Sequence, residues 1–442
     1  MIGDLMGEFP DEIERGKLIN SGYEPRVLDE LIYENMEDFG AVCIEGPKYC
    51  GKTWTARSLS NSEICLLDTE GAFQNQELAR LSPHQALQGS HPRLIDEWQE
   101  VPSLWDAVRN AVDRSGKQDT FILTGSAVPR KAKPHHSGVG RIEKIRMRPM
   151  TLFEAGKSSG AVSLQALFDG QKPDGSPLAV TLENLCDFVI RGGWPAVQNM
   201  ELRRASRLAR SYVRQVSEDD LSRVDDVARD PQKISRLLHS LARNAEQSTT
   251  TKTMIRDMTA NASNEALSKE TVDDYLQALR RIFVIEEIPG WSPNLRSSIR
   301  INKRPKYHYV DPSLPAAILG ATPQKLLGDL NAFGFLFECL CLRDLLVYAE
   351  VAEAQVRYYR DNTDLEVDAI IESYDGKWAA LEIKLGHSQA DLAANNLLRL
   401  KTKMEAAGTE SPAFLAVVEG LGQSAYVRDD GVYVIPITCL AP

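Results

Sequence analysis

Two glycines, a lysine and a threonine fall within eight residues of this chain, as Gly46-Pro47-Lys48-Tyr49-Cys50-Gly51-Lys52-Thr53. The spacing is GxxxxGK[ST], and the chemistry it suits is the cradling of a polyphosphate. Gly46 and Gly51 let the backbone curl so that its N–H groups converge on phosphate oxygens. Lys52 is placed to reach the β- and γ-phosphates, and the Thr53 hydroxyl can ligate Mg²⁺. Gly46, Pro47, Gly51, Lys52 and Thr53 are therefore the candidate contacts to ATP. Downstream, Arg93-Leu94-Ile95 runs into Asp96-Glu97. Beside a P-loop, Asp96 is expected to hold the metal ion and Glu97 to polarise an attacking water; alone, the pair would read equally well as solvated acids at a strand end. Thr124 or Ser126, at the tip of the next apolar run, is the candidate contact to the γ-phosphate or the water. A second constellation lies far away, in Glu338, Asp368, Glu382 and Lys384. Three carboxylates and a lysine in apolar surroundings are costly to bury without partners. A divalent cation, Mg²⁺ or Mn²⁺, would relieve that cost through hard oxygen ligands.

Both constellations need elements to hold them. AVCIE (41–45) reads as a buried strand, the loop follows at once, and TWTARSLS continues as a helix. ICLLD (64–68), RLI (93–95) and TFILT (120–124) read as further strands, with a helix at about 103–115 between the last two. Alternating strand and helix implies a parallel sheet with its ligand at the strand C-termini. For the second set, 332–348 reads as an apolar helix carrying Glu338, and 355–360, 365–371 and 378–385 as strands, with Asp375-Gly376 as a hairpin turn. Alternation puts Glu382 and Lys384 on one face and Leu381, Ile383 and Leu385 on the other. YHYVD (307–311) adds a strand just before this region.

GPKYCGKT, LIDEWQEVP and FILTGSA, in that order, resemble the AAA-type ATPases of bacteria and archaea that carry an uncharacterised C-terminal domain. RMRPMTLFE (146–154) and RGGWPAV (191–197) look like the same family. The likeness covers nearly the whole chain; Tyr49-Cys50 departs from the usual small loop residues. It implies that Gly140-Arg141 matches a Gly-Arg pair after the sensor strand, making Arg141 a candidate arginine finger or a phosphate contact within its own chain, against the plain reading of an exposed loop cation. No second-sensor arginine stands out. Asp…ExK resembles the PD-(D/E)xK nucleases of the restriction-endonuclease-like fold. By that resemblance Asp368 and Glu382 would bind metal, Lys384 would orient water or stabilise charge, and Glu338 would match the helix-borne acid of Holliday-junction-resolvase-like members. The competing readings are a strand with one solvated face, and a nuclease-like fold without nuclease activity.

Between the two lies a helical stretch, 198–245, with Arg-rich faces. Helices at 234–242, 249–258 and 268–282, followed by the extended Phe283-Val284-Ile285, resemble a winged helix. The third helix would expose Lys269, Glu270, Asp273, Asp274 and Gln277, an acidic face that repels phosphate, so packing or protein contact is favoured over DNA binding. The expected architecture is α/β: a P-loop AAA-type ATPase domain (20–205), a helical and winged-helix region (206–310) and a restriction-endonuclease-like α/β domain (311–442). A length of 442 residues fits two or three domains, and a net charge of −11 argues against a general nucleic-acid coat. Three basic patches, 130–148, 203–214 and 296–306, are read as solvated faces. Seven scattered cysteines without a CxxC pair read as reduced, mostly buried thiols rather than a zinc site or disulfide framework, with Cys50 in the P-loop open to exposure. An acidic N-terminus without a signal pattern and no long apolar run place the protein in the cytoplasm, away from membranes. Two functions stay open: an ATPase acting on nucleic acid through the C-terminal site, or an ATP-driven switch binding a protein partner, with that domain an inert scaffold. Either is compatible with a homo-oligomer.

Overall fold

AVCIE becomes strand β1 (Ala41–Glu45), buried along its whole length. It is buried because it lies inside a sheet whose two faces are covered, the arrangement that near-continuous apolar strands demand. In the computed structural model, which describes residues 16–18, 22–69, 73–116, 120–128, 137–223, 225, 227–260, 267–293 and 304–442, β1 is joined by β2 (Ser62–Cys65), β3 (Arg93–Asp96), β4 (Phe121–Gly125) and β5 (Ile142–Arg146). The order is β2-β3-β4-β1-β5, all parallel. Helices α1 (Asp29–Phe39), α2 (Lys52–Ser58) and α3 (Ser103–Ser115) accompany it. Strand β2 begins and ends earlier than the expected 64–68: its ladder with β3 closes at Cys65 opposite Asp96, and Leu67 stands in a turn, 45% exposed.

Next come α4 (Leu182–Arg191) and α5 (Leu202–Gln215). The arginines 203, 204, 207, 210 and 214 of α5 are all exposed, a solvated face. Helices α6 (Pro231–Arg243), α7 (Thr251–Thr259) and α8 (Lys269–Arg281) follow. Asp230, Thr250 and Ser268 cap them by accepting from backbone N–H groups of the first turn. Strand β6 (Ile285–Ile288) pairs antiparallel with β7 (Lys306–Tyr309). The strand expected at 307–311, before the C-terminal domain, is β7 of this pair and ends at Tyr309.

The C-terminal sheet is mixed. Helix α9 (Leu330–Val351) leads into β8 (Ala354–Arg360), β9 (Glu366–Ser373) and β10 (Trp378–Lys384). Helix α10 (Ala390–Ala406) then precedes β11 (Leu415–Glu419), β12 (Tyr426–Val427) and β13 (Tyr433–Pro436). The order is β12-β13-β11-β10-β9-β8. Strand β9 is antiparallel to both neighbours, whereas β10, β11 and β13 run parallel. Apolar residues of α9 pack one face, and Ala393, Leu397 and Leu400 of α10 the other. At 22 residues α9 is long, yet no helix among the described residues is long and apolar enough to cross a membrane.

The RMRP and RGGWP segments are structural joints. Arg148, buried, donates to Glu286 of β6 at 2.7 and 3.0 Å and to Glu350 of α9 at 3.2 Å. Arg343 of α9 bridges Asp311 at 3.1 Å and Asp344 at 2.7 Å. The same aspartates receive the Gly193 and Leu152 N–H groups. A Cβ on Gly193 would stand 2.0 Å from the Met150 carbonyl oxygen, so only glycine fits there. Arg148 and Lys306, assigned from sequence to solvated patches, are therefore buried, because each is drawn inward by carboxylates of other elements. Arg130, Lys131, Lys133, Arg296, Arg300 and Lys303 of those patches lie outside the described residues.

Candidate active site

The P-loop leaves the end of β1 and curls into α2. Gly51 has φ 109 and Tyr49 φ 66, left-handed conformations that turn successive N–H groups to one side. A Cβ on Gly46 would sit 2.1 Å from the Met147 carbonyl oxygen, which explains the first glycine. Lys52 is buried, its ammonium donating to the Pro47 carbonyl at 2.8 Å. The Cys50 thiol is buried too, against the expectation of exposure, and points to the Met147 carbonyl.

Strand β4 lies between β1 and β3, with Ile44 opposite Thr124 and Ile95 opposite Leu123. That register sets Thr124 between the P-loop and the acid strand. Its hydroxyl donates to Asp96 Oδ1 at 2.6 Å and accepts the Glu97 N–H at 3.0 Å. Thr53 donates to the same Asp96 oxygen at 2.9 Å. Glu97, at φ 61, has its carboxylate fixed by Ser126 at 2.8 Å and by Gln99. Gly46, Pro47, Gly51, Lys52, Thr53, Asp96, Glu97, Thr124 and Ser126 are thus brought together at one sheet edge. Gly51, Lys52, Thr53, Glu97 and Ser126 line a cavity of about 1150 Å³ whose other walls include Trp54, Tyr212, Asp220 and Arg223.

Sequence reasoning missed several residues here. Gln99 was visible three positions after Asp96. Arg26 carried no local signal; it lies buried, donating to the Cys50 carbonyl at 2.9 Å and to Glu154 at 2.8 Å, so it braces the loop from behind. Asp220 pairs with Lys48 at 2.7 Å, and Tyr212 packs edge-on to Tyr49. The segment after α4 therefore covers the loop. Arg141 is not part of this assembly. It precedes Ile142, which pairs with Ala41 at the start of β1, the opposite end of the sheet from the P-loop. There it bonds Asp113 and the Gly140 carbonyl. A contact from Arg141 to a phosphate in its own chain is excluded by that position.

The second constellation also converges. Register shifts between Val367 and Ile370, a bulge that re-aims Asp368. Asp368 Oδ2 accepts from the Ile383 N–H at 2.8 Å and from Lys384 at 3.0 Å, while Lys384 reaches Glu382 at 2.6 Å. Burial opposes the Asp368 charge, but Lys384 and Lys306 hold its carboxyl below the usual range. Burial, and then Asp368, push Glu382 up to about 8 and Glu338 upward as well. Lys306, on β7, stands 3.5 Å from Glu338 and 3.0 Å from Glu366, and these acids keep it charged despite burial. Lys306 was not foreseen here, since it lies 32 residues before Glu338 and in a basic run.

The AAA domain family matches residues 38–155, and two domains of unknown function match 182–325 (DUF8612) and 333–440 (DUF4143). Uncharacterized proteins of Mycobacterium tuberculosis and Mycobacterium bovis are each 26% identical over 347 residues, covering 78% of this chain and 70% of theirs. Among solved structures, a Walker-type ATPase of Pyrococcus abyssi is similar at 14% identity and a TM-score of 0.42, over 69% of this chain and 99% of that one. Residues 38–155, which hold the P-loop and its acid strand, are a AAA-type ATP-binding domain.

Proposed function

We propose that this protein hydrolyses ATP at the P-loop site and acts on nucleic acid through a metal-dependent, nuclease-like site in its C-terminal domain. The P-loop residues fit a nucleotide, since a cradle that admits no Cβ at Gly46 surrounds Lys52. Thr53 and Asp96, already joined by the hydrogen bond from the Thr53 hydroxyl, would hold Mg²⁺, whose charge would offset that of the phosphates. Glu97 would take a proton from water, with Ser126 and Gln99 fixing the carboxylate that receives it.

One observation carries the C-terminal half of the reading: Glu338, Asp368, Glu382 and Lys384, from one helix and two strands, meet at a strand bulge. Glu338 Oε1 and Glu382 Oε1 are buried without a hydrogen-bond partner, a donor set that fits a divalent cation. The order helix, three strands, helix, strand supports a restriction-endonuclease-like domain. Asp368, Glu382 and Glu338 would hold Mg²⁺ or Mn²⁺, which would polarise a phosphodiester; Lys384 would orient water or stabilise developing charge. Three helices and a hairpin support a winged-helix-like middle region. Its third helix exposes Lys269, Glu270 and Gln277, and we read it as a packing module. The reading divides the chain near residues 205 and 310.

Lys306 favours the second reading. Its ammonium already offsets Glu338 and Glu366, as befits an inert scaffold attached to an ATP-driven switch that binds a protein partner. The test is cleavage of linear, supercoiled and branched DNA with Mg²⁺ or Mn²⁺, with and without ATP, by wild type, Asp368→Ala and Lys384→Ala. Cleavage lost in both variants supports the first reading. Equal inertness, with intact ATP turnover and nucleotide-dependent association, supports the second.

A further inference from the structure

Glu246, His308 and Cys339 lie far apart in sequence: after α6, on β7 and on α9. Folding brings a ligand atom from each to within 4.8 Å of the others, and all three residues are buried. His308 Nδ1 is 2.7 Å from Glu246 Oε1, and the Cys339 thiol makes a long contact of 3.4 Å to the Tyr309 carbonyl. Two polar atoms of the cluster, Glu246 Oε2 and His308 Nε2, are buried without any hydrogen-bond partner. Buried polar atoms are nearly always paired, so a cluster with two orphans asks for a further partner. Glu246 is also held at φ 59, a conformation that a glutamate adopts only when its surroundings impose it.

We propose that Glu246, His308 and Cys339 form a buried zinc site. Thiolate, imidazole and carboxylate together are the donors of zinc, whereas Mg²⁺ and Ca²⁺ take oxygen alone. The site is therefore chemically distinct from the all-carboxylate cluster at Glu338, Asp368 and Glu382. Donors about 2.0–2.3 Å from a tetrahedral zinc stand roughly 3.3–3.8 Å apart, so the present separations need only small side-chain rotations. A water would supply the fourth donor of the tetrahedron. The ion would tie the loop after α6, the β6–β7 hairpin and α9 together, beside Glu338. The scattered cysteines gave no hint of this, because two of the three ligands are not cysteines and none is near another in sequence.

The test uses the full chain, expressed with zinc and dialysed against metal-free buffer before elemental analysis. About one equivalent of zinc is expected in wild type, and less than a tenth of that in Cys339→Ser and His308→Gln. Cobalt in place of zinc should give a near-ultraviolet thiolate-to-cobalt band that is lost in Cys339→Ser and kept in Cys341→Ser and Asp368→Asn. Added zinc should raise the Tm of chelator-stripped wild type and leave Cys339→Ser unmoved. If the variants do not fold, titration of chelator-stripped wild type against a chromophoric zinc chelator still reads the stoichiometry. Wild type without zinc and without a cobalt band overturns the proposal, as does a band that persists in Cys339→Ser.

Discussion

Replacing Thr124 by valine removes one hydroxyl and almost no volume. That hydroxyl is fully buried and serves two partners, donating to Asp96 at 2.6 Å and accepting the Glu97 N–H at 3.0 Å. Its loss leaves the Glu97 amide without this acceptor, at about 1–3 kcal/mol, and takes a charge-assisted bond from Asp96, worth about 1.5–3 kcal/mol. Asp96 keeps Thr53, so a net destabilisation of about 2–5 kcal/mol is expected in urea unfolding. Function should suffer separately. Glu97 sits at φ 61 with its amide fixed by Thr124, and without that bond its carboxylate loses alignment even though Ser126 and Gln99 still hold it. The kcat for ATP should fall about tenfold to a hundredfold, less than the full worth of a general base. The KM for ATP should move less than about threefold, because the P-loop is untouched. Steady-state hydrolysis, with binding of a fluorescent ATP analogue measured alongside, separates the two effects. Thr124→Ser, which keeps the hydroxyl, should restore most of both. A valine variant with wild-type kcat and with stability within about 0.5 kcal/mol of wild type would refute the role assigned to Thr124.

Arg343→Met leaves Asp311 and Asp344 buried with their cation gone, and should cost about 3–5 kcal/mol in urea unfolding; adding Asp311→Asn should recover part of it. Glu286 is partly buried, which works against its charge, but Arg148 and Arg146 hold its carboxyl at about 2 against an ordinary 4.5. Its folded pKa is depressed, so its stabilising contribution is present above about 4.5 and is lost as pH falls toward 2. Glu286→Gln should therefore flatten the acid limb of a Tm-against-pH curve over that window, and an unchanged limb would show that Glu286 does not titrate there. Arg141→Ala should leave ATP affinity and turnover of the dilute protein unchanged; a loss confined to concentrations at which size-exclusion chromatography shows assembly would assign Arg141 to a neighbouring subunit's site.

The P-loop site was legible from sequence because its chemistry is local. Gly46 to Thr53 is one unbroken loop, and Asp96, Glu97 and Thr124 sit at the ends of apolar runs whose parallel pairing follows from strand–helix alternation. Hydrophobic pattern also gave the helix at 332–348, which the structure extends to 330–351, and the strands bearing Asp368, Glu382 and Lys384, since period and turn residues are properties of neighbours in the chain. What the sequence could not reveal is which distant segment completes a charge. Arg148 and Lys306 look like members of solvated basic runs, and only packing against Glu286, Glu350, Glu338 and Glu366 makes them buried counter-ions. Arg141 looks adjacent to the sensor strand, but the parallel register of β5 on β1 carries it to the far end of the sheet. Likewise the meeting of Glu246, His308 and Cys339 spans 93 residues of chain and has no periodicity to announce it. Periodicity and turn chemistry are written in residues a few positions apart. The partners of a buried charge are chosen by the tertiary fold, because only there does the loss of water make an unpaired polar atom costly enough to select its neighbour.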